Sequence, residues 1–245
     1  MRDERFMKIA ILGGTGHIGK GFALRWGSLH DIIIGSRNAE RASSAAKEYR
    51  CMLEDLGKKG SFEGVDNKTA AQMADVVLLA IKYRHVSSVI ENITPVLKDQ
   101  IVVSVVVPME KDSCYIIPDA RHMEVDVKDS AYNAEYFCYT QPAGGSAAEE
   151  IAKILPQNIR LVSGFHNVPA KHLEDLSLAL DYDIAICGND MASKEVVCKL
   201  TEDIPNLRPL DAGPLQASSM IESLTPLLIN IAARNNMDDV GVKFI

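Results

Sequence analysis

The stretch ILGGTGHIGKG, residues 11–21, decides the fold. The run Lys8–Leu12 before the glycines is short and mostly apolar and reads as a strand; Gly16–Gly27 reads as a helix. Between them Gly14, Gly16 and Gly19 fit G-x-G-x-x-G. In that pattern the first glycine permits a tight turn, the second lets the backbone approach a pyrophosphate, and the third lets the helix lie close to the strand. The pattern alone is weak. Here it directly follows a strand, opens a helix and lies in a βαβ unit. Free N–H groups at the helix start, with the helix dipole, favour an anion there, and His17 contributes mainly its backbone.

Outward from the glycines the chain alternates. Residues 31–35 (DIIIG), 62–65, 75–81 (DVVLLAI) and 101–107 (IVVSVVV) read as strands, with helices over 38–56, 68–73 and up to 90 between them. The apolar runs are nearly continuous, as in strands covered on both faces by helices, so an α/β fold with a mainly parallel sheet is expected. Residues 109–146 break the rhythm: they are polar, rich in Tyr and interrupted by Pro118 and Pro142, and read as a long irregular insertion, with room for a hairpin. The pattern returns with a helix over 147–155, strands over 159–165, 183–187 and 207–210, a helix over 193–204, and a final apolar helix over 215–234. The expected architecture is a Rossmann-type, doubly wound sheet with a smaller C-terminal helical part. The dinucleotide-binding domain spans 1–165, including the insertion 109–146, and the smaller domain spans 166–245.

The end of the second strand identifies the nucleotide. NAD-binding folds place Asp or Glu there to hold the ribose 2′-hydroxyl. This chain has Gly35-Ser36-Arg37, with Arg41 one helical turn on and no carboxylate at the tip. A hydroxyl and two guanidiniums suit the 2′-phosphate of NADP and oppose S-adenosylmethionine. Cations at a helix start also oppose the dipole, which argues that they serve a ligand.

Composition excludes other classes. The 245 residues carry net charge −7 and no basic run of the kind that follows a duplex, so nucleic acid is not an expected partner. No stretch of about 18 uncharged apolar residues occurs, and residues 1–7 lack the apolar core of a signal peptide, so a cytoplasmic protein without membrane contact is expected. The five cysteines are scattered, without metal-ligand spacing, and read as reduced thiols. No Ser-His-Asp order, carboxylate pair or metal motif stands out, as suits hydride chemistry carried by cofactors. His85 follows the strand that ends near Ile81 and faces the nicotinamide end of the crevice; His166, at a strand end before Pro169, is the better ligand candidate.

The segments ILGGTGHIGKGFALR, IIIGSRNAERA, FHNVPA, DIAICGND and the closing block from Leu207 to Ile245 resemble the F420-dependent NADP oxidoreductases. The resemblance implies hydride transfer between NADP(H) and coenzyme F420, an 8-hydroxy-5-deazaflavin, with the rings stacked at roughly 3–3.5 Å. It implies that Thr15, Gly16, His17 and Ile18 meet the pyrophosphate, and that Ser36, Arg37 and Arg41 meet the 2′-phosphate. Ile81 and His85 would line the nicotinamide side, with Ala170 nearby. His166, Pro169, Gly213, Pro214, Leu215 and Val240 would enclose the deazaflavin. No side chain is implied as a chemical catalyst, and a homodimer or larger homo-oligomer is implied. Two features depart from the family: Lys82 stands beside the nicotinamide site where a proline is expected, and the 109–146 link is long. Both keep open a reductase of the same fold acting on a flavin or another small acceptor. A non-catalytic NADP-binding protein is the third reading.

Overall fold

The computed structural model of the protein describes residues 6–112 and 136–245. The first half consists of β1 (Lys8–Leu12), α1 (His17–Trp26), β2 (Asp31–Ser36), α2 (Ala39–Asp55), β3 (Ser61–Asp66), α3 (Asn67–Met73), β4 (Val76–Leu79), α4 (Val86–Ile93) and β5 (Ile101–Ser104). A two-stranded antiparallel ribbon follows, β6 (Met109–Asp112) with β7 (Tyr136–Tyr139), and carries the stem of the expected insertion; residues 113–135 of it lie outside the described residues. The second half is α5 (Ala147–Ile154), β8 (Arg160–Ser163), α6 (Ala170–Glu174), β9 (Tyr182–Gly188), α7 (Met191–Glu202), β10 (Leu207–Asp211), α8 (Ser218–Glu222) and α9 (Leu224–Arg234).

Eight strands form one sheet in the order β10-β9-β8-β5-β4-β1-β2-β3. From β3 to β8 the pairs are parallel, which gives the doubly wound order with its switch point between β1 and β4. β9 pairs antiparallel with β8, and β10 runs parallel to β9. The C-terminal part is therefore not a separate layer: two of its strands complete the same sheet, and its helices α8 and α9 follow. Alternate residues of β1 feed opposite cores, as a period of two requires. Ile9 and Ile11 pack with Phe22, Trp26 and Tyr49 on one face, and Ala10 and Leu12 pack with Val77, Leu79 and Ile90 on the other.

Several elements differ from the sequence expectation, among them the strand expected over 101–107, which ends at Ser104. The strand expected to reach Phe165 ends at Ser163, because Phe165 adopts φ +66° and turns the chain. The ring of Phe165 is buried against Phe22 and Trp26, with centroids 5.0 and 6.0 Å away, and this packing holds an uncommon backbone conformation in place. The single helix expected over 215–234 is broken at Ser223 into α8 and α9, after a 3₁₀ turn over Leu215–Ala217. Pro226 has no N–H to give to the carbonyl four residues back, so the helix restarts there. The positive φ of the glycine turn, +85°, belongs to Gly13 and not to Gly14.

The break leaves Glu222 fully buried. Its carboxylate accepts from the N–H groups of Ala147 and Ala148, at 2.9 and 3.0 Å, and from the Tyr139 hydroxyl at 3.0 Å. One side chain thus ties α8 to the start of α5 and to β7. Asn230 on α9 adds a second tie, bonding both the N–H and the C=O of Phe137, at 2.9 and 2.7 Å.

Candidate nucleotide and hydride-transfer site

The glycine loop is fastened on both sides. Gly13 N–H donates to Gly35 O at 3.1 Å, and Ala80 N–H donates to Leu12 O at 2.9 Å. From below, the buried Tyr49 hydroxyl donates to Gly14 O at 2.9 Å. Burial pushes the Tyr49 phenol up to about 12, with the nearby Glu48 and Glu174 carboxylates adding to the rise, so it stays a donor. Tyr49 had no signal in the sequence beyond its place on a helix.

The glycines separate by what they avoid. A Cβ on Gly13 would lie 2.2 Å from Ala80 O, one on Gly14 2.8 Å from Ile11 O, and one on Gly19 2.6 Å from Gly13 O. The fold itself demands these three. A Cβ on Gly16 meets nothing nearer than 3.4 Å, and the residue is exposed. Its bareness serves the space in front of the loop. Gly16 is also the N-cap of α1, which has no side-chain cap and no acidic residue in its first turn. The positive end of the helix is open to an anion. His17, beside it, is exposed and bonds Glu174 through Nδ1 at 2.7 Å.

At the tip of β2, Asn38 caps α2 by accepting from Arg41 N–H at 2.9 Å, and the Ser36 hydroxyl accepts from Asn38 N–H at 3.2 Å. Arg37 and Arg41 are exposed and form no salt bridge among the described residues. Across β1, the end of β4 carries half-buried Ile81, exposed Lys82 and half-buried His85. Partial burial lowers the His85 pKa, and the positive charges of Arg37, Arg84 and Lys82 lower it further. A cationic rim thus forms at the switch point of a protein with net charge −7. Tyr83, next to Lys82, turns inward and donates to Glu150 at 2.5 Å.

A small cleft of about 50 Å³ lies where the chain turns after β8. His166, Pro169 and Val240, singled out from the sequence, line it together. Asn167, Val168, Thr225, Leu228, Ile229 and Asp239 line it too and were not singled out. The α9 residues among them read as plain packing positions in an apolar helix. Among the described residues, neither ring nitrogen of His166 has a hydrogen-bond partner of good geometry, and Asp239 Oδ2 is likewise buried and unpaired. Burial holds His166 neutral, with its pKa down to about 3, against a weak opposing pull from the Val106 backbone. The cleft can meet the polar edge of a flat apolar ring and is too small to enclose one.

The tail that brings Val240 to the cleft is anchored at β9. Asp183, 1% exposed, takes Arg208 through Nε at 2.7 Å and Nη2 at 2.5 Å, and accepts from Phe244 N–H at 2.6 Å. Asp183 N–H donates to Val242 O at 2.8 Å. The Arg208 hydrogen bonds hold the Asp183 carboxyl below the usual carboxylate range.

The remaining expected residues lie elsewhere. Ala170 begins α6 directly after Pro169 and does not line the cleft. Gly213, Pro214 and Leu215 follow β10, which runs against the parallel strands, so this end points away from the carboxyl ends of β1 to β5. Leu215 is buried in the core with Ala147, Ala148 and Ile151. No group of three or more His, Cys, Asp or Glu suited to a metal occurs among the described residues.

An expected result concerns the acid limb of stability. His166 is neutral in the folded chain and titrates near 6.5 when unfolded, so the unfolded state binds the extra proton first. Its contribution to stability is complete above pH 6.5 and is lost progressively as pH falls toward 3. Denaturant midpoints across that window should show this decline, and His166→Leu should flatten it.

A family profile described as NADP oxidoreductase, coenzyme F420-dependent, matches residues 8–108. The F420-dependent NADP reductase of Methanocaldococcus jannaschii is 38% identical over 237 residues, 97% of this chain and 97% of that protein. The F420-dependent NADP reductase of Methanothermobacter thermautotrophicus is 34% identical over 240 residues, 97% of this chain and 94% of its own. These matches run nearly end to end on both sides, so the 109–146 link sits within a full-length match and is no net addition to these relatives' length. A crystal structure of a candidate F420-dependent NADP reductase from Arthrobacter sp. FB24 shares the fold, with TM-score 0.72 at 20% identity over 98% of this chain and 99% of that one. From the glycine loop to the closing tail, this chain belongs to the F420-dependent NADP reductase family.

Proposed function

We propose that the chain transfers a hydride between NADP(H) and coenzyme F420. The observation that carries the nucleotide half is the pair Arg37 and Arg41: two exposed guanidiniums without a salt bridge among the described residues, at the β2 tip of an acidic protein. Kinship over 97% of the chain supports the deazaflavin half.

Residues Gly14, Thr15, Gly16, His17, Ile18 and Gly19 hold the pyrophosphate at the open start of α1. Ser36, Arg37 and Arg41 hold the 2′-phosphate. Ile81, Lys82 and His85 border the nicotinamide, with Ala170 near it. His166, Pro169 and Val240 face the deazaflavin, whereas Gly213, Pro214 and Leu215, expected there from the sequence, stand at the opposite end of the sheet. The cofactors supply the chemistry, a hydride passing between the nicotinamide and the deazaflavin. The chain's residues orient the rings, and Val168, Leu228, Ile229 and Val240 keep water from the cleft. Neutral His166 offers a donor and an acceptor without adding charge beside the transferred hydride.

The segment 166–245 closes the crevice, with its tail held by Asp183 and Arg208. The protein works in the cytoplasm as a homodimer or larger oligomer. Exposed Leu227 and Ile231, one turn apart on α9, offer an apolar contact for a second copy. No helix among the described residues is long and apolar enough to cross a membrane.

Arg37→Ala tests the nucleotide half. NADPH should bind about tenfold to a hundredfold more weakly in a fluorescence titration, and NADH should hardly change. Equal losses for both nucleotides would refute the 2′-phosphate assignment.

A further inference from the structure

Asn67 stands where β3 passes into α3 and is 7% exposed. β2 and β3 pair in register, Gly35 opposite Val65 and Ser36 opposite Asp66, so Asn67 is level with Arg37 at the sheet edge that carries the 2′-phosphate residues. Its Oδ1 is sheltered from water and has no hydrogen-bond partner among the described residues. That oxygen lies over Gly35: a Cβ there would come 3.0 Å from it and 2.6 Å from Leu12. With Oδ1 turned in toward Gly35, the planar amide turns Nδ2 the other way, where it bonds no described residue and is not sealed from solvent. Oδ1 is thus shut in, while Nδ2 is a donor that no described residue occupies and that is open to solvent at the sheet edge beside Arg37.

The neighbours say which kind of acceptor this donor suits. Ser36 Oγ already accepts from Asn38 N–H and keeps its proton to donate. Arg37 and Arg41 only donate. The one carboxylate at the β3 tip, Asp66, is turned to its own helix and accepts from Lys68 N–H, Thr69 N–H and Thr69 Oγ1 at 3.0, 3.0 and 2.6 Å. The tip therefore presents donors, which suits an acceptor-only dianion better than a ribose hydroxyl.

We propose that Asn67 is a further specificity-determining residue, donating its side-chain amide to the 2′-phosphate of NADP(H). The proposal rests on the nucleotide reading above and adds to it a ligand from β3. Titrations with NADPH and with NADH, together with melting curves, test it. Asn67→Ala should weaken NADPH binding about tenfold and leave NADH binding and the melting temperature as they are. Asn67→Asp keeps the shape but sets a carboxylate against the phosphate, and should cost NADPH about a hundredfold and NADH little; it keeps the test decisive if the alanine variant folds poorly. Losses shared equally by the two nucleotides, or no loss in either variant, would overturn the role of Asn67. A parent protein that binds NADPH no better than NADH would instead overturn the nucleotide reading, and this proposal with it.

Discussion

Gly16→Ala is expected to leave the protein folded and to strip it of NADPH. The new methyl group meets only Gly13 O, at 3.4 Å, and the φ of −94° at Gly16 suits alanine. Ala is a poorer N-cap than Gly, so the fold should lose about 1 kcal/mol or less. The ligand fares differently, because the methyl stands where the loop opens toward an anion. NADPH affinity should fall about a hundredfold, the worth of a charged hydrogen-bond set held by backbone amides. Gly19→Ala is the control with the opposite sign. Its Cβ would lie 2.6 Å from Gly13 O and 2.7 Å from Gly14 Cα, backbone atoms that cannot step aside. That variant should lose about 3 kcal/mol of stability through overpacking. Thermal melts and NADPH titrations of the two variants check both halves. A Gly16→Ala protein that binds NADPH normally would mean that the loop holds no pyrophosphate.

Glu222→Ala should have the largest effect on the fold. The carboxylate is fully buried and satisfies three donors from two other segments. Burial raises its pKa, while the N–H groups of Ala147 and Ala148 and the Tyr139 hydroxyl oppose that rise. Removing it leaves those donors unpaired and opens a cavity, at about 3–5 kcal/mol. Glu222→Gln preserves the volume and one acceptor, and should lose about half of that. A urea denaturation series measures both. A near-neutral Glu222→Ala would show that the link from α8 to α5 and β7 contributes nothing to stability.

The sheet was legible because its strands are buried on both faces. Apolar runs such as IIIG and VVLLA admit little else, and the strand starts and ends fell within a residue or two for β1, β2 and β9. The direction of β9 and β10 was not legible, since a buried strand carries the same residues whichever way it runs. The break at Ser223 was foreshadowed by Pro226, but the apolar periodicity on either side masks it. At the candidate site, the residues that sequence alone could nominate are those close together in the chain: Gly14 to Gly19, and Ser36 with Arg37. Those joined only by folding it could not. Tyr49 under the loop, Asn67 beside β2, and Thr225 and Asp239 in the cleft with His166 come from helices and a tail with ordinary local sequence. Gly13 escaped because the motif names positions, while the positive φ depends on where Ala80 O sits.

The measurement that bears most directly on the function is the absorbance of oxidised coenzyme F420 mixed with the purified protein and NADPH. Bleaching that requires the protein, and is much slower with NADH, is the predicted result. No bleaching while NADPH still binds would contradict it, and would assign the second half of the site to a different acceptor.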